Sequence, residues 1–213
     1  MKILGLTGSI GMGKSTVAGM ARRLRIPVFD ADASVHQALA NGGKAVTAVA
    51  ARFPEAVQDG FINRALLGRL VFGNTPNLRI LESILHPIVR QDRSQFLAEH
   101  RRRRVSLVIL DVPLLLERDG WTVCDRVMVV SAPVFVQAAR VLGRPGMDLE
   151  RLTAIRSAQM SEPKKRAVAD FIIPSGLGKG PALRALHHAV TLTRNSLGKA
   201  RCAKSYWIRK QQV

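Results

Sequence analysis

Residues Gly8-Ser9-Ile10-Gly11-Met12-Gly13-Lys14-Ser15-Thr16 match the spacing G-x-x-x-x-G-K-[ST]. The chemistry this spacing serves is phosphate binding. Glycines let the backbone curl so that successive N–H groups face phosphate oxygens. A helix opening at the end of the loop adds its partial positive charge. Lys14 supplies a cation for the β- and γ-phosphates, and Ser15 supplies a hydroxyl for Mg2+. Gly8, Gly11, Met12, Gly13, Lys14, Ser15 and Thr16 together form a cradle for a nucleoside triphosphate. The alternative is a chance glycine-rich turn with a solvated lysine. A strand before the motif and a helix after it weigh against that. The motif does not name a reaction.

Other residues could act on a bound triphosphate. Asp30-Ala31-Asp32 follows a short apolar run. Carboxylates there can hold metal-bound water or take the proton of an attacking hydroxyl. Equally, Asp32 can cap the helix that follows. Asp111 ends the run VSLVILD, where P-loop proteins often place a metal-water acid; a strand-end turn is the alternative. Arg140 and Arg144 lie four apart, on one helical face if the helix reaches that far. They could close over a transferred phosphate, or form a solvated face. With Arg151, Arg156, Lys164, Lys165 and Arg166 they make a basic lid, with Gly143 and Gly146 as hinges. His86, beside Pro87, reads on pattern as a packed or capping histidine. Arg101 to Arg104 read as a solvated helix end that complements the helix dipole. No Cys or His spacing suits a metal cluster, and no Ser–His–Asp set stands out.

The elements that must position these groups follow from apolar patterning. Ile3 to Thr7, Pro27 to Phe29, Val105 to Val112, Arg126 to Val130 and Phe171 to Ile173 are short, nearly continuous apolar runs, as buried strands are. Helical character is predicted over Ser15 to Arg25, Phe135 to Leu142, Asp148 to Met160 and Pro181 to Leu197, and across most of 32–104. Pro87 should kink the helix it lies in or start a new one. Strands alternating with helices predict an α/β fold, a parallel sheet wrapped by helices.

Composition sets the outer limits. The 213 residues are 47% hydrophobic, enough to bury a core, which excludes a disordered basic protein. The net charge of +18 predicts polyanionic partners without choosing among nucleic acid, membrane surface and phosphorylated small molecules. Residues 171–213 hold eight Lys or Arg and no acid. Two cysteines, Cys124 and Cys202, form no disulfide framework, so a reducing, cytoplasmic setting is expected. No apolar run is long enough to cross a membrane.

Taken together, the chain resembles the dephospho-CoA kinase family over about residues 3–195. The resemblance is carried, in order, by Gly5-Leu6-Thr7-Gly8 with the loop to Thr16, by Asp30-Ala31-Asp32 and by Leu85-His86-Pro87. It continues through Pro113-Leu114-Leu115-Leu116-Glu117, then Gln137, Arg140 and Arg144 with Gln159, and Ala169-Asp170. It implies a three-layer P-loop kinase fold with a five-stranded parallel sheet, a helical acceptor-binding region and a lid. It implies ATP and Mg2+, with dephospho-CoA as the second substrate. Asp32 would accept the hydroxyl proton, Lys14 and the loop would hold phosphates, and Arg140 and Arg144 would face ATP. His86, Pro113, Leu114 and Glu117 would belong to the acceptor side with Asp32.

The expected layout is one kinase domain over 1–198, an acceptor region near 32–104, a lid near 136–166, and a mobile basic tail over 199–213. Three departures from the family pattern stand out: Ser9 at a common glycine position, Pro174-Ser175-Gly176 after the last strand, and the basic tail from Lys199, which has no counterpart. Two other readings compete. One is a kinase of the same fold acting on a nucleoside monophosphate or another small hydroxyl compound. The other is a nucleic-acid-binding P-loop protein, which the 5% aromatic content disfavours because stacking platforms are scarce. No obligate nucleic-acid partner and no membrane are expected, and the oligomeric state is left open.

Overall fold

A computed structural model describes residues 1–117 and 119–196. The basic segment 199–213 lies outside the described residues. The chain divides into two compact units, one holding Met1–Phe29 and the chain from His100 onward, the other Asp30–Glu99.

In the first unit, β1 (Lys2–Thr7), β2 (Val28–Asp30), β5 (Leu107–Asp111), β6 (Arg126–Ser131) and β7 (Phe171–Pro174) form a five-stranded parallel sheet in the order β2-β5-β1-β6-β7. The central strand β1 pairs Leu4 with Ile109 of β5 and with Arg126 of β6. Helices cover both faces, so the strands are apolar on both sides. On one face α1 (Lys14–Arg23) and α9 (Lys179–Asn195) bury Val17, Ala18, Leu186 and Ala189 against Leu4, Leu6, Met128 and Val130. On the other face Leu115, Leu116 and Val168 pack on Val127 and Val129. The alternation along β6 thus feeds two separate cores, giving three layers.

The stretch expected to form a lid holds three short helices: α6 (Val134–Leu142), α7 (Leu149–Ser157) and α8 (Glu162–Val168). The helix predicted to Met160 ends at Ser157, and α8 was not foreseen. Pro163 lies in the first turn of α8, where its missing N–H would have no intrahelical partner anyway, so it marks a new start.

The second unit is built from α2 (Ala31–Ala38), α3 (Val46–Arg52), α4 (Arg64–Val71) and the first part of α5 (Thr75–Arg102), with a small hairpin of β3 (Val57–Gln58) and β4 (Phe61–Ile62). Its core is Leu39, Val49, Phe53, Leu67, Leu81 and Leu85. Contrary to the expected kink or restart, α5 runs unbroken through Pro87 for 28 residues. A proline removes one N–H. Leu81, Leu85 and Leu97 are buried on either side of it and hold the helix to its packing.

Candidate active site

The glycine-rich loop leaves the carboxyl end of the central strand and enters α1, the context its spacing demands. Gly11 and Gly13 have φ of 74° and 86°. Those left-handed values favour glycine, which has no Cβ to clash. Space is short as well: a Cβ on Gly11 would lie 2.5 Å from Val141 Cγ2. Ser9 does not share the positive φ, so a side chain is tolerated there. Its hydroxyl lies 3.5 Å from Glu162 Oε2.

Side chains from distant segments grip the loop's peptide groups. Gln137 of α6 donates to Ile10 O at 2.8 Å, and Ile10 N donates to Gln159 Oε1 at 3.2 Å. Arg140 donates to Gly11 O at 3.4 Å, and Ser175 Oγ donates to Met12 O at 2.5 Å. Arg140 also donates to Ser175 Oγ at 3.0 Å and to Ser175 O at 2.7 Å. Arg156 in turn donates to Gln137 Oε1. Three successive carbonyls are thereby satisfied from outside the loop. Thr16 N donates to Gly13 O at 3.1 Å, closing the first turn of α1, and the start of that helix adds its partial positive charge to the loop.

Lys14 Nζ is 2.6 Å from Asp111 Oδ1 at the end of β5, where Asp111 is 2% exposed. Asp111 is therefore more than a turn residue, the simpler of its two readings. Just beyond it, Thr7 Oγ1 donates to Pro113 O at 2.8 Å, fixing the start of Pro113–Glu117 against β1. Leu114 is half-buried. Glu117 Oε1 accepts from Met160 N at 2.9 Å and lies 2.9 Å from Lys165 Nζ, which is wholly buried. That approach is a charge contact outside hydrogen-bond geometry, and Glu117 Oε2 and Glu162 Oε1 are buried with no hydrogen bond. Ser15 and Thr16 are exposed in the first turn of α1. Arg140 lies on α6, but the helix ends at Leu142, so Arg144 is an exposed loop residue and does not share its helical face.

The remaining sequence candidates belong to the other unit. Asp30, not Asp32, caps α2, accepting from Ala33 N at 3.0 Å. Asp32 is exposed in the first turn. Helix α2 is anchored by Asp92 of α5, which accepts from Ser34 Oγ at 2.8 Å and Lys44 Nζ at 2.7 Å. Burial pushes the Asp92 carboxyl up, but the bonds from Lys44 and Ser34 outweigh it and hold the group below its ordinary value. His86 is half-buried on α5. Sequence reasoning did not single out Asp92 or Glu162, and took Ser175 only as a departure in a turn. Their partners lie far away in the chain, so no local spacing announces them.

A phosphate-binding loop on the central strand of a parallel sheet, its lysine set against the acid of the neighbouring strand, defines the protein as a P-loop nucleotide-binding protein. The model of the dephospho-CoA kinase family matches residues 2–177. The chain belongs to that family. It is 59% identical over 196 residues to a dephospho-CoA kinase of Paramagnetospirillum magneticum, covering 92% of each chain. It is 52% identical to one of Rhodospirillum rubrum, covering 95% of this chain and 96% of that one. A crystal structure of a Thermus thermophilus protein superposes with a TM-score of 0.76 at 37% identity, covering 89% of this chain and 96% of the other. No helix among the described residues is long and apolar enough to cross a membrane.

Proposed function

We propose that the protein transfers the γ-phosphoryl of ATP to the ribose 3′-hydroxyl of dephospho-CoA, giving coenzyme A and ADP, the last step of coenzyme A biosynthesis. The observation that carries this reading is the phosphate loop with Lys14 held at Asp111, inside a family match that spans most of the chain. Lys14 and the backbone of Gly11 to Thr16 form the cradle for the phosphates of ATP, and Gly8 lets the loop leave β1. Arg140 and Arg144 neutralise charge that develops on the transferred group. Asp32 accepts the proton of the attacking hydroxyl. His86, Pro113, Leu114 and Glu117 serve the acceptor side, as the family resemblance implies.

Mg2+ fits the donors present. Ser15 offers an exposed hydroxyl in the first turn of α1, and Asp111 a carboxylate beside Lys14. Hard oxygen ligands of this kind suit Mg2+, which binds through few protein groups plus substrate phosphates. Among the described residues no group of three or more His, Cys, Asp or Glu could form an all-protein cage. When bound, held by Ser15 and Asp111, such an ion would supply charge neutralisation for the phosphates. The enzyme works in the cytoplasm on two small molecules and requires no nucleic acid.

The test is a coupled ADP-release assay with ATP and Mg2+. Release should depend on dephospho-CoA and be absent with nucleoside monophosphates or shikimate. Equal release with one of those compounds would reject the substrate assignment.

A further inference from the structure

The amino edge of the parallel sheet, opposite the phosphate loop, carries a block of arginines that phosphoryl transfer does not use. Helix α1 ends at Arg22-Arg23 and turns through Arg25 into β2. Helix α5 ends at Arg101-Arg102 and turns through Arg103 and Arg104 into β5. Strands β2 and β5 are neighbours, with Ile109 N donating to Pro27 O at 2.9 Å, so the two turns lie side by side. Helix α9 packs on the same core as α1 and ends at this edge with Arg194. All eight arginines are exposed. Near this edge Asp125 and Asp170 lie beside Lys2 and Arg126 at 3.9 and 3.1 Å, and Glu99 sits one turn before Arg103 on α5.

The backbone adds a second observation. Arg25 N donates to Arg22 O and Ile26 N to Ala21 O; Arg104 N donates to Arg101 O and Val105 N to His100 O. Both helices thus close with the same paired motif, and its left-handed position is usually glycine. Here it is Arg25 at φ 56° and Arg104 at φ 54°. Helix dipoles account for cations in the last turns. They do not account for arginine at the one position where glycine would relieve strain. The charge is also localised. The unit of residues 30–99 has seven basic and seven acidic residues, so the whole +18 lies in the rest of the chain.

We propose that this edge is a sequence-independent docking surface for the phosphate backbone of nucleic acid. Arginine forks suit phosphate oxygens. Leu24 packs on the core and Ile26 is buried, so the turns present charge without the apolar wedge of a membrane-surface binder. The surface lies away from the loop that holds ATP, so binding and turnover are separable.

The experiment uses the full chain and a labelled 20-base-pair RNA duplex, with anisotropy read from 50 to 200 mM salt. Four to six phosphate contacts give a slope of log K against log salt of about −4 to −5. The variant Arg23→Gln/Arg101→Gln/Arg102→Gln should flatten that slope by about 3 and weaken binding at least about tenfold, with ADP release unchanged. The charge-matched variant Lys164→Gln/Lys179→Gln/Arg184→Gln should move affinity less than about threefold, because local contacts and not overall charge carry the binding. On the unmodified protein, the duplex should shield Arg23, Arg101 and Arg102 from phenylglyoxal. Equal loss in the two variants, no shielding, or binding to phosphatidylserine vesicles but not to duplex would each overturn the proposal.

Discussion

Lys14 Nζ stands 2.6 Å from the nearly buried Asp111 Oδ1, a contact between residues 97 apart in the chain. The pair joins the loop after the central strand to the end of the neighbouring strand. It fixes the lysine's ammonium beside the end of β5, so under the proposed function an arriving triphosphate would meet a cation already placed. Asp111→Asn keeps the shape and removes the charge. It should lower turnover about a hundredfold, on the scale of losing one oriented electrostatic contact. It should also lower stability by about 2 kcal/mol, on the scale of a hydrogen bond to a charged group. Steady-state kinetics and urea unfolding read the two effects separately.

Asp32 is exposed in the first turn of α2, and the capping work there is done by Asp30. Removing the Asp32 charge should therefore leave the fold intact. Asp32→Asn should abolish turnover while ATP binding, followed by calorimetry, stays near normal. Lys14→Ala should lose both. Undiminished turnover in Asp32→Asn would remove the base assignment.

Lys165 is wholly buried and faces Glu117. Cutting one partner from a buried pair strands the other charge. Lys165→Ala should cost about 3–5 kcal/mol in denaturant unfolding. Lys165→Met with Glu117→Gln removes both charges and should recover most of that loss. A double variant as unstable as the single would mean that packing, not charge, governs the site.

Asp92 supplies a pH dependence with a definite sign. Its carboxyl is held below the ordinary value in the fold by Lys44 and Ser34, against the opposing effect of burial. A depressed carboxyl stabilises the fold above its unfolded value, about 3.9, and loses that contribution as pH falls through the folded value. Thermal melts of wild type and Asp92→Asn should differ most near neutrality and converge below about pH 4. A constant gap down to pH 3 would contradict the ion-pair origin.

The five strands were legible because burial on both faces makes each a nearly uninterrupted apolar run, as in Leu107–Asp111. The phosphate loop was legible because its chemistry is local in sequence. The hairpin Val57–Gln58 with Phe61–Ile62 was not, since two-residue strands have no period to detect. Nor could spacing show that Ser175 holds Met12 O across 163 residues. Pro87 misled in the opposite direction: a local rule favoured a break, and burial of Leu81, Leu85 and Leu97 kept α5 whole.

The sheet order has a consequence for biosynthesis. Strand β1 is made first yet ends as the centre, paired with β5 and β6. Its partners are residues 107–111 and 126–129, so more than a hundred further residues must leave the ribosome before either edge of β1 is covered. Until then the chain carries an apolar strand with both edges open, the kind of segment that pairs with the wrong neighbour. Nascent chains halted before β5 should therefore depend on chaperones, and those halted after β6 should not.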